Sequence, residues 1–289
     1  MRTCTTISEL RSACGTSWDR GRRIGLVPTM GALHEGHLSL VRAARESCQF
    51  VVASIFVNPT QFAPNEDLAK YPRNLERDAA LLAQEGVNAL FAPTVEEMYP
   101  AGAVTWVTVE GVSDRLDGRS RPGHFRGVTT VVAKLFHIVE PDAAFFGQKD
   151  AAQLAILRKM VRDLNFPIEI VGCPIVREAD GLAMSSRNVY LDSTQRSRAL
   201  ALSRALSQIA KMHERGERRA HELARRGKEE IASEPGVQMD FLEIVDADTL
   251  DPVADVSHGA LVAVAAHVGT TRLIDNILLP PDKQIRAGS

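Results

Sequence analysis

The 289-residue sequence predicts an open, mostly parallel α/β sheet followed by a second, smaller α+β domain. Three observations carry this reading. From Arg23 onward, short apolar runs of strand type alternate with segments of helical period, the order that places helices over a parallel sheet. Past Val176 the character changes to a Gly- and Ser-containing loop, charged helical stretches and further strand-like runs, which divides the chain into 1–176 and 177–289. The length also suits one main domain with an appendage, since single cores stop growing at roughly 250–300 residues.

Arg23 to Pro28 reads as the first strand, and Leu38 to Ser47 as a helix with Leu38, Val41 and Cys48 on one face. Phe50 to Val57 is β-branched, aromatic and almost wholly apolar, as expected of a central strand covered on both sides, and Asn58-Pro59 ends it. Leu75 to Glu85 is a helix stopped by Gly86, and Asn88 to Ala92 a short strand. Trp106 to Glu110 reads as an edge strand. Val128, Val131, Val132, Leu135, Phe136 and Val139 recur at helical spacing before Pro141. Ala143 to Phe146 is then a strand, followed by a helix burying Leu154, Leu157, Met160, Val161 and Leu164, and by a strand from Ile168 to Val176. In the second domain, strands are predicted at Met239 to Val245 and Ala260 to Val268.

The net charge of −2, from 34 basic and 36 acidic side chains, supplies no general positive field for nucleic acid. The basic run from Arg215 to Lys228 is interleaved with Glu217 and Glu222 and reads as a solvated helix face. Cys4, Cys14, Cys48 and Cys173 form no CxxC pair, so neither a zinc knuckle nor a dithiol centre is suggested. The N-terminus lacks the apolar core of a signal peptide, and no run reaches the roughly 20 apolar residues that span a bilayer. A cytoplasmic protein without nucleic-acid or membrane partners is the expectation.

His34 and His37 flank Gly36 after a predicted strand and at the start of a predicted helix. A helix N-terminus offers unpaired N–H groups and a positive dipole end, which suits phosphate. The HEGH spacing differs from that of the HExxH zinc helix, and two unrelated surface histidines, or two ligands of an incidental metal, remain the alternatives. Gly147 to Asp150 follows the strand expected beside the first, so this turn and HEGH would share one crevice at the carboxyl ends of the strands. An ordinary strand-to-helix turn is the competing reading there. Ser185, Ser186 and Arg187 supply compact donors and a planar fork on a polar loop. Cys173 and His137 read as packing and helix-surface residues, and His124 as a loop residue with no evident partner.

PTMGALHEGH at Pro28 to His37 closely resembles the phosphate-binding segment of the pantothenate synthetases, a Rossmann-like family of the HxGH nucleotidyltransferase superfamily. SIFVNPTQF, YPR, RPGHFRGV, FFGQKD and DGLAMSSRN follow in the family's order, with Thr60 where Met is often found. The resemblance implies ATP contacts at Met30, Gly31, Ala32, Leu33, His34, Glu35, Gly36 and His37. It implies the same at Gly147, Gln148, Lys149, Asp150, Met184, Ser185, Ser186 and Arg187, with Val176 beside the adenine. Gln61 and Gln153 would bind pantoate, the former also near β-alanine.

Catalysis would rest on His34, His37 and Lys149, with His37 donating a proton to the leaving group. The implied chemistry is condensation of pantoate with β-alanine through a pantoyl adenylate. ATP is a substrate, Mg2+ accompanies it with unknown protein ligands, and the second domain closes over the ATP site. A homodimer is implied too, with Val104 to Val109 as a possible pairing edge. Two other functions stay open on the residues alone: a transferase that leaves the nucleotide on its product, and a module that binds ATP without turnover.

Overall fold

The computed structural model describes residues 1–18, 20–64 and 66–282; residues 283–289 of the expected second domain lie outside the described residues. The chain divides into two compact units, Met1–Val176 with Met184–Ser186, and Arg177–Ala183 with the residues from Arg187 onward.

The first unit opens with β1 (Arg2–Cys4) and α1 (Ile7–Trp18), then β2 (Ile24–Thr29), α2 (Glu35–Ser47) and β3 (Phe50–Ile55). α3 (Leu75–Gln84), β4 (Ala89–Phe91), α4 (Val95–Met98), α5 (Asp117–Ser120) and α6 (His124–Val139) follow. β5 (Ala143–Gly147), α7 (Ala151–Asp163) and β6 (Glu169–Cys173) complete it. The six strands form one parallel sheet in the order β1-β4-β3-β2-β5-β6. Val27, Val51 and Phe145 from the strands and Leu40, Val41 and Ala44 from α2 share one buried cluster. The chain leaves β2 for β3 on one side and later returns to β2's other side with β5, so the strand order reverses between β2 and β5. Ligands of open α/β sheets bind beyond the carboxyl ends of strands at such a reversal.

Trp106–Glu110 is not a strand. Hydroxyls of α6 take its backbone groups instead: Val107 N–H donates to Thr130 Oγ1 (3.0 Å) and Thr129 Oγ1 donates to Val107 O (2.6 Å). Leu164 is 53% exposed rather than buried, because α7 ends at Asp163 and the chain turns there. β6 stops at Cys173, leaving Val176 in the following connection. Cys173 packs in the core, and burial raises its thiol pKa. β1 gave no sequence signal because three residues carry no period; its pairing of Arg2 to Ala89 and Cys4 to Phe91 defines it.

The second unit contains α8 (Ser193–Glu214), α9 (Ala220–Ala232), β7 (Val237–Val245), β8 (Ala260–Val268) and β9 (Thr271–Leu279). The three strands form an antiparallel sheet in the order β7-β8-β9. Ala199, Leu202, Leu206 and Ile209, recurring at helical spacing on α8, share a core with Val262, Val264 and Val268 of β8. β9 is not among the strands predicted from sequence, and it carries the polar pair Asp275-Asn276. Asp275 is nevertheless buried and paired with Arg177 (2.7 and 2.9 Å). The charges around α9 are laced as expected: Arg225 pairs with Glu222 (2.7 Å) and Glu229 (2.6 Å).

Candidate active site

α2 begins at Glu35, three residues before the sequence pattern suggests, because His34 caps it with its own side chain. Gly36 N–H donates to His34 Nδ1 (3.2 Å), and His34 N–H donates to His37 Nδ1 (3.4 Å). This is the reciprocal arrangement of a capping box, with imidazoles in place of hydroxyl and carboxylate. The rings stand 4.1 Å apart between centroids. A Cβ at Gly36 would lie 2.9 Å from the His34 ring, so only glycine lets that ring fold over the first turn.

An Nδ1 that accepts a hydrogen bond carries no proton, so in each neutral ring the proton sits on Nε2. Burial, then the neighbouring His34 and Lys149, press the His37 pKa down to about 3. With these neighbours His37 is neutral at physiological pH and offers a hydrogen bond from Nε2–H. Bound phosphate charge would raise its pKa again.

The turn before the cap is held from within. Gly31 N–H donates to Thr29 Oγ1 (3.2 Å), and the N–H groups of Ala32 and Leu33 both donate to Asp78 of α3. Of the predicted contacts, Gly31, Ala32 and Leu33 thus have their N–H groups engaged within the protein. The same holds in the first turn of α2, where Gly36 N–H donates to His34 Nδ1 and His37 N–H donates to His34 O (2.8 Å).

At the end of β5, Gln148–Asp150 forms a single short turn leading into α7. Lys149 Nζ lies 3.9 Å from Asp150 Oδ1, and its charge reaches His37, which joins the two predicted halves of the site. A Cβ on Gly147 would have one neighbour within 4 Å, Lys149 N at 4.0 Å, so a ligand can come close to this backbone. Gln153 is half-buried in the first turn of α7.

Gln61 follows β3, and a residue passed over in the sequence reading orients it. Asn58, 1% exposed, donates from Nδ2 to Gln61 Oε1 (3.1 Å) and Gly127 O (3.1 Å), while its Oδ1 accepts from Tyr99 OH (3.0 Å). Gln61 Nε2 is directed at Met30 Sδ (3.1 Å), which brings two predicted site residues together. Gly127 makes this packing possible, since a Cβ there would lie 2.5 Å from Thr60 O.

His124 is the first residue of α6 rather than a loop residue, and it has partners: its Nδ1 lies 2.8 Å from Gln61 O and its Nε2 3.0 Å from Arg121 Nη1. Burial and the Arg121 charge lower its pKa to about 4. Arg121 also grips Glu66 (2.6 and 2.7 Å). The signal for these residues lay in the NPTQF and RPGHFRGV blocks, but the contacts join positions far apart in sequence (Gln61 and His124 are separated by 63) and no local pattern reports them.

Met184–Ser186 groups with the first unit. Met184 N–H donates to Val176 O (3.0 Å), Ser186 Oγ lies 3.3 Å from Tyr71 OH, and Met184 Cβ lies 3.8 Å from where a Gly36 Cβ would stand. These contacts bring MSS, YPR and HEGH together. Arg187 belongs to the second unit. Among the described residues no group of three or more His, Cys, Asp or Glu could hold a metal ion, and no helix is long and apolar enough to cross a membrane.

A family described as pantoate-beta-alanine ligase matches residues 2–278. A pantothenate synthetase of Koribacter versatilis is 61% identical over 279 residues, covering 96% of each chain. That of Acidobacterium capsulatum is 62% identical over 96% of this chain and 97% of its own. The crystal structure of pantothenate synthetase from Thermus thermophilus superposes with a TM-score of 0.92 at 51% identity, over 97% of this chain and 100% of that one. A Francisella tularensis pantoate-beta-alanine ligase, solved with βγ-ATP and β-alanine, has a TM-score of 0.79 at 33% identity, over 96% and 97% of the two chains. The sheet that reverses between β2 and β5, and the caps and turns at its carboxyl end, are those of a chain that belongs to the pantoate–β-alanine ligase family.

Proposed function

We propose that this chain condenses pantoate with β-alanine at the expense of ATP, releasing AMP and pyrophosphate, through an enzyme-bound pantoyl adenylate. The observation that carries the reading is the imidazole cap on α2, with His34 and His37 each accepting at Nδ1 and Lys149 within electrostatic range.

A pantoate carboxylate oxygen attacks the α-phosphorus, and the bond to the bridging oxygen of pyrophosphate breaks. Charge that grows on the phosphoryl and leaving oxygens meets the two Nε2–H donors and the Lys149 ammonium. The β-alanine amine then attacks the acyl carbon and loses a proton, and the acyl C–O bond breaks, AMP leaving with the bridging oxygen and its bonding electron pair. Gln61, whose Oε1 accepts from Asn58 and whose Nε2 gives one N–H to Met30 Sδ, offers its second N–H to pantoate. Gln153 supplies a second neutral amide. The hydroxyls of Ser185 and Ser186 and the Arg187 fork take triphosphate oxygens, with Val176 beside the adenine. Magnesium enters with ATP, held by phosphates and water, as its preference for an octahedral, largely hydrated shell allows.

The test supplies ATP with pantoate and β-alanine singly and together. AMP is expected only when both acceptors are present. AMP with either alone, nucleotide retained on the product, or binding without pyrophosphate would each overturn the reading.

A further inference from the structure

Asp78 is 1% exposed and stands on α3, outside the sequence blocks that mark the site. Its Oδ2 accepts from Ala32 N–H at 2.7 Å and its Oδ1 from Leu33 N–H at 3.0 Å. The chain it holds is strained: Gly31 has φ +82° and Ala32, which has a Cβ, has φ +52°. A non-glycine residue in that region costs on the order of 1 kcal/mol and persists only where its surroundings enforce it. Arg77 closes the clamp, its Nη1 lying 3.3 Å from Asp78 Oδ1 and donating to Leu33 O (3.2 Å). One residue further on, His34 begins the imidazole cap.

We propose that Asp78 is a positioning residue for adenylate formation. Its carboxylate holds the left-handed Gly31–Ala32 turn, and through it the placement of His34 and His37 against the phosphates. This rests on the reading of those histidines as phosphate-facing. An anion suits the task because it is acceptor-only: it takes two converging backbone N–H groups, whereas an amide would turn a donor toward one of them. The clamp acts through the two histidines, so it bears on the first half-reaction, in which charge grows on the phosphates, and not on the second, in which amine attacks a preformed acyl adenylate.

The experiment measures pyrophosphate release from ATP and pantoate, amide formation from supplied pantoyl adenylate and β-alanine, and the melting temperature. Asp78→Asn should slow the first about 30-fold, a charged-acceptor loss of ordinary size, and leave the second within about twofold. Adding Ala32→Gly should restore about fivefold, because glycine holds positive φ without strain. Ala32→Val, which strains the same turn without touching Asp78, should reproduce the selective loss and applies even where Asp78→Asn does not fold. Equal loss in both half-reactions, no rescue by Ala32→Gly, or an unaffected Ala32→Val would overturn the proposal. Wild-type protein that releases no pyrophosphate would instead overturn the functional reading beneath it.

Discussion

Each of the two units buries an aspartate against groups distant in sequence. Asp78 of the first unit holds loop backbone, the Ala32 and Leu33 N–H groups, at the end of a parallel sheet. Asp275 of the second sits within β9 and forks with Arg177 at 2.7 and 2.9 Å, tying the Arg177–Ala183 arm to a strand. The first carboxylate holds a turn in which a residue with a Cβ, Ala32, has positive φ, while the positive φ in the arm tied by the second falls on a glycine, Gly181. Parallel strands end together, so their loops must be held in place by side chains. An antiparallel sheet closes on its own ladder and uses a buried pair only as a fastener. Polar burial in the first unit therefore bears on chemistry, and in the second on stability.

The largest expected effect tests the chemical side. His37→Ala or Lys149→Ala should lower the rate of pyrophosphate release about 10²- to 10³-fold, or roughly 3–4 kcal/mol of transition-state stabilisation, in single-turnover assays. Wild-type rates in either would break the contrast.

Asp275→Ala should cost about 3 kcal/mol in urea unfolding. This is the lower end for a broken buried pair, because the Arg177 side chain, 31% exposed, can turn to water. Activity per folded molecule should be unchanged, and a selective loss of the first half-reaction would erase the distinction between the units.

Asn58→Ala frees Gln61 from its partner and should raise the pantoate KM about tenfold, the worth of one hydrogen bond, while the ATP KM stays within about twofold. Equal changes in both constants would point to general loosening of the first unit.

The remaining expected effect is on acid stability. His37 and His124, with pKa values of about 3 and about 4, stay neutral in the native state while the unfolded chain takes up protons near 6.5. The unfolded state then binds more protons, so stability is full above about pH 6.5 and falls as pH drops toward those values. Replacing both residues with Gln should flatten that limb in denaturant titrations, and an unchanged slope would show that other groups govern it.

The alternating fold class, strands β2 to β8 and the longer helices α2, α3, α6 and α7 were open to sequence reading, as far as local periodicity reaches. β1, α4 and α5 were not, being too short to show a period. Trp106–Glu110 misled because its strand-like composition is met by Thr129 and Thr130 hydroxyls on a helix read separately. β9 hid because Asp275 looks polar until Arg177 is beside it. In the site, HEGH, GQKD and MSSR announced themselves by residue type and order. Tyr99, Asp78 and His124 did not, since each bonds a partner (Asn58, the Ala32 N–H, Gln61 O) that only folding brings near.

The sequence by itself determined the alternation of strand and helix, the family, and which segments are candidates for phosphate binding, because these depend on residue type and short spacing. Tertiary structure alone decided that both histidines accept at Nδ1, that His37 is neutral, and that the N–H groups of Gly31, Ala32 and Leu33 face inward. Tautomer, pKa and strain are set by distances of a few ångströms between groups remote along the chain, and burial fixes them only once the sheet has formed.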